Sequence, residues 1–264
     1  MANKLLKEKR KRSLKSDLRS HPRKPIQTGL DLSLEEILNQ PIRDLDLTLK
    51  GSLLEECIEA FYEELDRFQI KMRPRYYLSD GYGTCEGTAN IGLAFWDADE
   101  YLRKIAQRFI GEYNTREDLM MLLRHEMGHA FCYSYKLYRQ EAFRKLFKVK
   151  GHFFNTYPMH DRYRRNPWSP DFVNPCGDCY AQKHPDDDFA ETFATLMNSG
   201  IKWRSTYQHK IGALSKLLYV EFLIKQWGRL PVIVKNDTRK IYDPVEQLDT
   251  TVRKFFAAKR AQKN

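Results

Sequence analysis

The sequence predicts an α+β protein, mostly helical, with a small sheet packed against one long buried helix. Three observations carry this. The stretch "TREDLMMLLRHEMGHAFCYSYKLYRQEAFRKLFKVKG" is the longest helical pattern, and Leu119 to Leu123 is apolar all round, so its first half is expected to be buried on most sides. "RYYLS" and "TCEGTANIGLAFW" are the strand candidates, separated by the turn "DGYG". At least four further segments carry helical periodicity, so helix outweighs strand.

Each element follows from local chemistry. Ser52 with Glu55 forms a capping-box pattern ahead of a helix whose Leu54, Ile58, Phe61, Leu65 and Phe68 share one face. A short helix is expected over about 97–110. Thr115 with Asp118 repeats the capping-box pattern at the long helix, and Gly151 is its expected stop. Residues 151–185 are irregular and rich in Pro, Tyr, Phe and His, which suits an ordered cover over the core. "DDDFAETFATLMNSG" reads as a helix with acidic N-cap candidates and a stop at Gly200. Two more helices are expected near 212–227 and 243–261.

The chain has 264 residues and a formal charge of +10. Ten Lys/Arg against Glu8 and Asp17 give residues 1–25 a net +8, and the last twelve residues add +5, so the body is about −3. This divides the chain into a basic tail at 1–28, expected to be disordered, a folded domain at 29–242, and a basic C-terminal helix or tail at 243–264. The tail reads as a solvated segment, with weak nucleic-acid contact through residues 1–25 as the alternative. No apolar run approaches the ~20 residues of a membrane span, and no secretory h-region follows the first charges. Five cysteines, an odd number, do not suggest a disulfide scaffold. The expected setting is reduced and cytoplasmic.

The chemistry centres on "RHEMGHA". Residues four apart share a helix face, so His125 and His129 can offer nitrogens to one metal ion. Glu126 lies about 100° round the helix, placed to act as a base toward a metal-activated water. Gly128 permits close backbone approach. A buried histidine pair without a metal would leave Glu126 as a costly buried carboxylate, so Zn²⁺ is the expected cofactor.

A catalytic zinc needs a third protein ligand. The pattern HExxHxxGxxH fails, because Cys132 and Tyr135 stand where it needs Gly and His. His152, His160, His184, Cys176 and Cys179 are candidates. So is Glu191, an acid on a helix that otherwise presents Phe189, Phe193, Leu196 and Met197; its alternative is an ordinary first-turn acid favoured by the helix dipole. For an oxyanion donor the candidates are His184 and Tyr180, with Tyr157 behind them. Asp186, Asp187 and Asp188 are read as helix caps, or one of them as a carboxylate that orients a ligand imidazole. The strand "TCEGTANIGLAF" is either a sheet edge for an added peptide or a plain core strand. Cys176-Gly177-Asp178-Cys179 is a single CxxC, too few ligands for a structural zinc, and Cys57 and Cys132 read as core.

"RHEMGHAFCYSYKLYR", "YAQKHPDDDFAETFA" and "WRSTYQHKIGALSKLLYVEFL" resemble the bacterial zinc-binding metallopeptidases, over about residues 45–228. The "FAE" segment is similar to that of the anthrax lethal factor type. The resemblance implies a zincin-like fold, His125, His129 and Glu191 as zinc ligands, Glu126 as general base, and a protein or peptide substrate. The basic tail and "NPCGDC" depart from the usual pattern. Two other readings remain: a DNA-associated zinc protease tethered by its tail, and a non-catalytic, zinc-stabilised interaction protein.

Overall fold

A computed structural model describes residues 33–158, 162–234, 237 and 239–263. The basic tail and His160 lie outside the described residues. Glu35–Asn264 form one compact unit. It contains nine α-helices among the described residues: α1 (Leu34–Asn39), α2 (Leu53–Arg67), α3 (Glu100–Ile110), α4 (Arg116–Ser134), α5 (Glu141–Leu146), α6 (Pro185–Met197), α7 (Trp203–Thr206), α8 (Ile211–Trp227) and α9 (Val252–Lys263). Its sheet has three strands: β1 (Arg75–Ser79), β2 (Gly83–Thr84) and β3 (Asn90–Ala94). The mostly helical α+β class is what the structure has.

Both capping patterns sit at helix starts. Thr115 Oγ1 accepts from Asp118 N, and the Asp118 carboxylate accepts from Thr115 N at 2.9 Å, a complete box. Ser52 caps α2, while Glu55 reaches back to Gly51 N and not to Ser52. The long helical pattern does not run to Gly151. It ends at Ser134, because Lys136 turns left-handed at φ 53° and Tyr135 is drawn into the core, its hydroxyl donating to Leu230 O at 2.8 Å. The helix expected from Asp97 starts at Glu100 instead, where Asp99 accepts from the amides of Tyr101 and Leu102.

"TCEGTANIGLAFW" is not one strand. A turn at Cys85–Thr88 splits it into β2 and β3, and the sheet order is β1-β3-β2. β3 is therefore central, parallel to β1 with Arg75 opposite Asn90, and antiparallel to β2 with Thr84 opposite Ile91. β1 and β2 are the edges, and β2 lies against α4.

The site rests on the packing of α4 against α6. Phe131 meets Phe193 at 5.4 Å between ring centroids, and Leu123, Met127, Phe189 and Ala190 are buried beside them. Each such large side chain removed from water contributes about 1.5–3 kcal/mol. Glycine inside a helix costs about 1 kcal/mol relative to alanine, and here contact offsets it. A Cβ on Gly128 would lie 2.7 Å from Ala190 Cα, so the two backbones touch where only glycine fits.

Two charged pairs tie neighbouring helices to this centre. Arg124 on α4 forms a bidentate pair with Glu64 on α2, at 2.8 and 2.6 Å. Lys216 on α8 reaches Asp188 on α6 at 2.5 Å, both fully buried. The C-terminal helix is also part of the core: Phe255 and Phe256 of α9 pack on Phe95 and Trp96, just past β3. Among the described residues no helix is long and apolar enough to cross a membrane.

Candidate metal centre

His125 and His129 both project from α4 with their Nε2 atoms 3.0 Å apart. Asp187, in the first turn of α6, places Oδ1 3.9 Å from His125 Nε2 and 3.7 Å from His129 Nε2. A point about 2.1 Å from all three atoms exists within that triangle, which is the length of a Zn–N or Zn–O bond. These three buried residues form a group able to hold a metal ion.

The outer ring nitrogens are equally well placed. Glu191 Oε1 lies 2.7 Å from His125 Nδ1, and Asp186 Oδ1 lies 2.9 Å from His129 Nδ1. An ionised carboxylate only accepts, so His125 directs an Nδ1–H at Glu191, while His129 Nδ1 and Asp186 Oδ1 lie at ion-pair distance with no hydrogen bond formed by either atom among the described residues. The two Nε2 atoms face each other at 3.0 Å inside a buried site. Two lone pairs there repel unless a proton or a metal ion sits between them. Asp187 Oδ2 is buried there as well, without a hydrogen-bond partner among the described residues. The donor set, two imidazoles and a carboxylate with carboxylates behind the rings, is that of a zinc site.

The electrostatics agree. Burial would lower the His129 pKa, yet Asp186, Glu126 and Asp187 raise it to about 9. Burial lifts the Asp187 carboxyl to about 6, against the pull of His129 and His125. Burial would also raise Asp186, but His129 and the hydroxyls of Tyr133 and Tyr157 hold it below its ordinary value. The site attracts positive charge, whether a proton or a metal ion carries it.

The sequence-predicted residues sort as follows. His125, Glu126, His129 and Glu191 all come together, but Glu191 faces the outer nitrogen of His125 and not the space between the Nε2 atoms. Asp187, expected as a cap or an orienting carboxylate, takes the inner position. The cap of α6 is His184: its Nδ1 accepts from Asp186 N at 3.1 Å, and its Nε2 pairs with Thr156 Oγ1 at 2.8 Å. Both nitrogens are thereby engaged, the ring stacks on Tyr157 at 3.7 Å, and burial lowers its pKa to about 4, so it stays neutral. Tyr157 itself donates to Asp186 Oδ2 at 2.7 Å, beside a second hydroxyl bond from Tyr133.

Tyr180 does reach the site. It lines a cleft of about 390 Å³ together with His125, Glu126, Glu191 and Cys176, and its hydroxyl accepts from Lys183 Nζ at 3.1 Å. His152 is exposed and stands beside Phe154, and Cys179 is buried, with its sulfur near Asn174; neither belongs to the His125–His129–Asp187 group. One contributor was missed in the sequence. Thr84, on the edge strand β2, puts its hydroxyl 2.8 Å from Glu126 Oε2 and 2.9 Å from Glu126 O. No local pattern marks it, because the contact spans 42 residues.

No curated protein and no solved structure matches the chain. A family model described as "Putative zinc-binding metallo-peptidase" matches residues 68–243, two thirds of the chain and every residue of the centre. The protein belongs to this family of zinc-binding metallopeptidases.

Proposed function

We propose that the protein is a zinc-dependent peptidase in which His125, His129 and Asp187 hold the metal and Glu126 is the general base. The observation that supports this most is the orientation of the two imidazoles, whose outer nitrogens are each backed by a carboxylate while their inner nitrogens converge on Asp187. Zinc bound there supplies Lewis acidity, which polarises a peptide carbonyl and acidifies water toward pKa ~7.

The protein's own residues do the rest. Glu126, one residue from the first ligand, takes a proton from the attacking water and passes it to the leaving amine. The Thr84 hydroxyl, 2.8 Å from Oε2, holds that carboxylate against the edge strand. Tyr180 donates toward the carbonyl oxygen, and Lys183 on its oxygen makes the phenol a stronger donor. Asp186 and Glu191 fix the tautomers of the ligand imidazoles. Protein or peptide chains are the substrates.

The test is Glu126→Gln in the zinc-loaded protein. Hydrolysis of a responsive peptide is expected to fall by at least 10³-fold with one zinc per chain retained. A non-catalytic zinc protein has no use for this acid, so a variant that cleaves as well as wild type overturns the reading.

A further inference from the structure

The cleft beside the metal centre carries more information than the catalytic residues use. Part of its lining is apolar: Met121 and Leu122, one turn before His125 on α4, and Tyr82, from the loop ahead of β2. Besides His125, Glu126, Tyr180, Cys176 and the neutral Asn114, three acids line it. Asp118 comes from the first turn of α4, Asp178 from the irregular segment before α6, and Glu191 from α6 itself. No lysine or arginine lines it among the described residues.

Asp118, Asp178 and Glu191 line one cleft together with Cys176, Glu191 being paired with His125 Nδ1. Asp118 is fixed by accepting from Thr115 N and Oγ1, and Asp178 by accepting from Tyr180 N at 3.0 Å. These bonds orient the carboxylates without neutralising them. A Leu or Phe side chain filling this space would match the apolar lining and leave the carboxylates of Asp118 and Asp178 without a counter-charge. An arginine or lysine satisfies both halves, laying its methylenes on Met121, Leu122 and Tyr82 and its cation among the acids.

We infer that this cleft is a specificity pocket for a basic side chain, so that the protein cleaves peptide bonds within about two residues of an arginine or lysine. The inference rests on the peptidase reading for its cleavage consequence. His125 and Glu126 line the same cleft, which puts the pocket next to the scissile bond.

The experiment uses the full-length zinc-loaded protein and decapeptides of one Ala/Gly background that carry a single Arg, norleucine or Glu. Norleucine keeps an apolar stem and removes the charge. Wild type is expected to cleave the Arg peptide with kcat/KM at least tenfold above the norleucine peptide, at one fixed distance from the Arg. Asp178→Asn and Asp118→Asn should each reduce that ratio about tenfold; because Asp178 accepts from Tyr180 N and Asp118 caps α4, the readout is the Arg-to-norleucine ratio within each variant and not its absolute rate. Equal cleavage of the Arg and norleucine peptides, or preference for Glu, overturns the inference and leaves the peptidase reading standing. If wild type cleaves none of them, the peptidase reading fails, and binding of the labelled peptides by the zinc-loaded protein decides the inference: tighter binding of Arg supports it, and equal binding overturns it.

Discussion

Glu191 Oε1 lies 2.7 Å from Nδ1 of His125, on the side of the ring that faces away from the other histidine. There it faces the ring's outer nitrogen, on the side away from Nε2. It orients the imidazole and raises its basicity, while Asp187, one helical turn earlier, occupies the inner side.

This relationship separates two variants that sequence alone would treat alike. Asp187→Ala is expected to abolish stoichiometric zinc, since it removes a direct ligand. Glu191→Gln should keep one zinc per chain and weaken its affinity about 10–100-fold. Competition with a fluorescent chelator measures both. Equal loss in the two variants would mean that Glu191 is a ligand after all.

Gly128→Ala tests the helix contact that sets this geometry. Its Cβ would meet Ala190 Cα at 2.7 Å, and backbone cannot yield as a flexible side chain does. Expected is a loss of about 1–3 kcal/mol in urea unfolding. Zinc affinity should fall as well, because Asp187 moves away from the imidazoles when α4 and α6 separate.

The buried pair Lys216–Asp188 should be costly to halve. Lys216→Met leaves the Asp188 carboxyl buried without its cation, and a drop of about 3–5 kcal/mol is expected. Adding Asp188→Asn in the same chain should recover part of it. Chemical denaturation of the two single variants and the double variant gives the coupling.

Cys176 offers a direct probe of the cleft. It is exposed, while Cys57, Cys85, Cys132 and Cys179 are buried. Partial burial of the sulfur in the cleft, with the charges of Glu191, Asp178 and Asp118, pushes its pKa up to about 11. The thiolate is the reactive form, so alkylation by iodoacetamide should be slow at pH 7 and speed up about tenfold per pH unit toward 11. The adduct would fill the cleft and block hydrolysis, whereas Cys176→Ser should keep its activity under the same treatment. A rate independent of pH would show that the thiol does not sit among those acids.

Local chemistry made much of this protein legible in advance. Thr115 and Asp118 mark the start of the central helix, the spacing of His125 and His129 puts both on one face, and Glu126 follows from the same turn. Hydrogen bonds and side-chain directions inside one helix depend on residues three or four apart, so a linear pattern suffices for them. The C-terminal limit of that helix did not follow in the same way: Lys136 turns left-handed where Tyr135 must reach the core, and nothing in the adjoining residues signals that pull. The division of "TCEGTANIGLAFW" into an edge strand and a central strand likewise depends on the pairing of β3 with β1, fifteen residues away.

The sequence by itself determined two imidazoles on one helix face, a carboxylate beside them and a set of acids on a second helix. Which acid faces the inner nitrogens of the two imidazoles was decided only by the tertiary structure. Asp187 and Glu191 are four residues apart and share a face of α6, so helical spacing cannot rank them. Their roles depend on how far α6 is slid along α4, and the contact of Gly128 with Ala190 sets that position to within a fraction of a side chain. The same docking brings Asp186 to His129, and the packing of β2 on α4 brings Thr84 to Glu126. Those are contacts between segments far apart in the chain, and only the packed core brings them together.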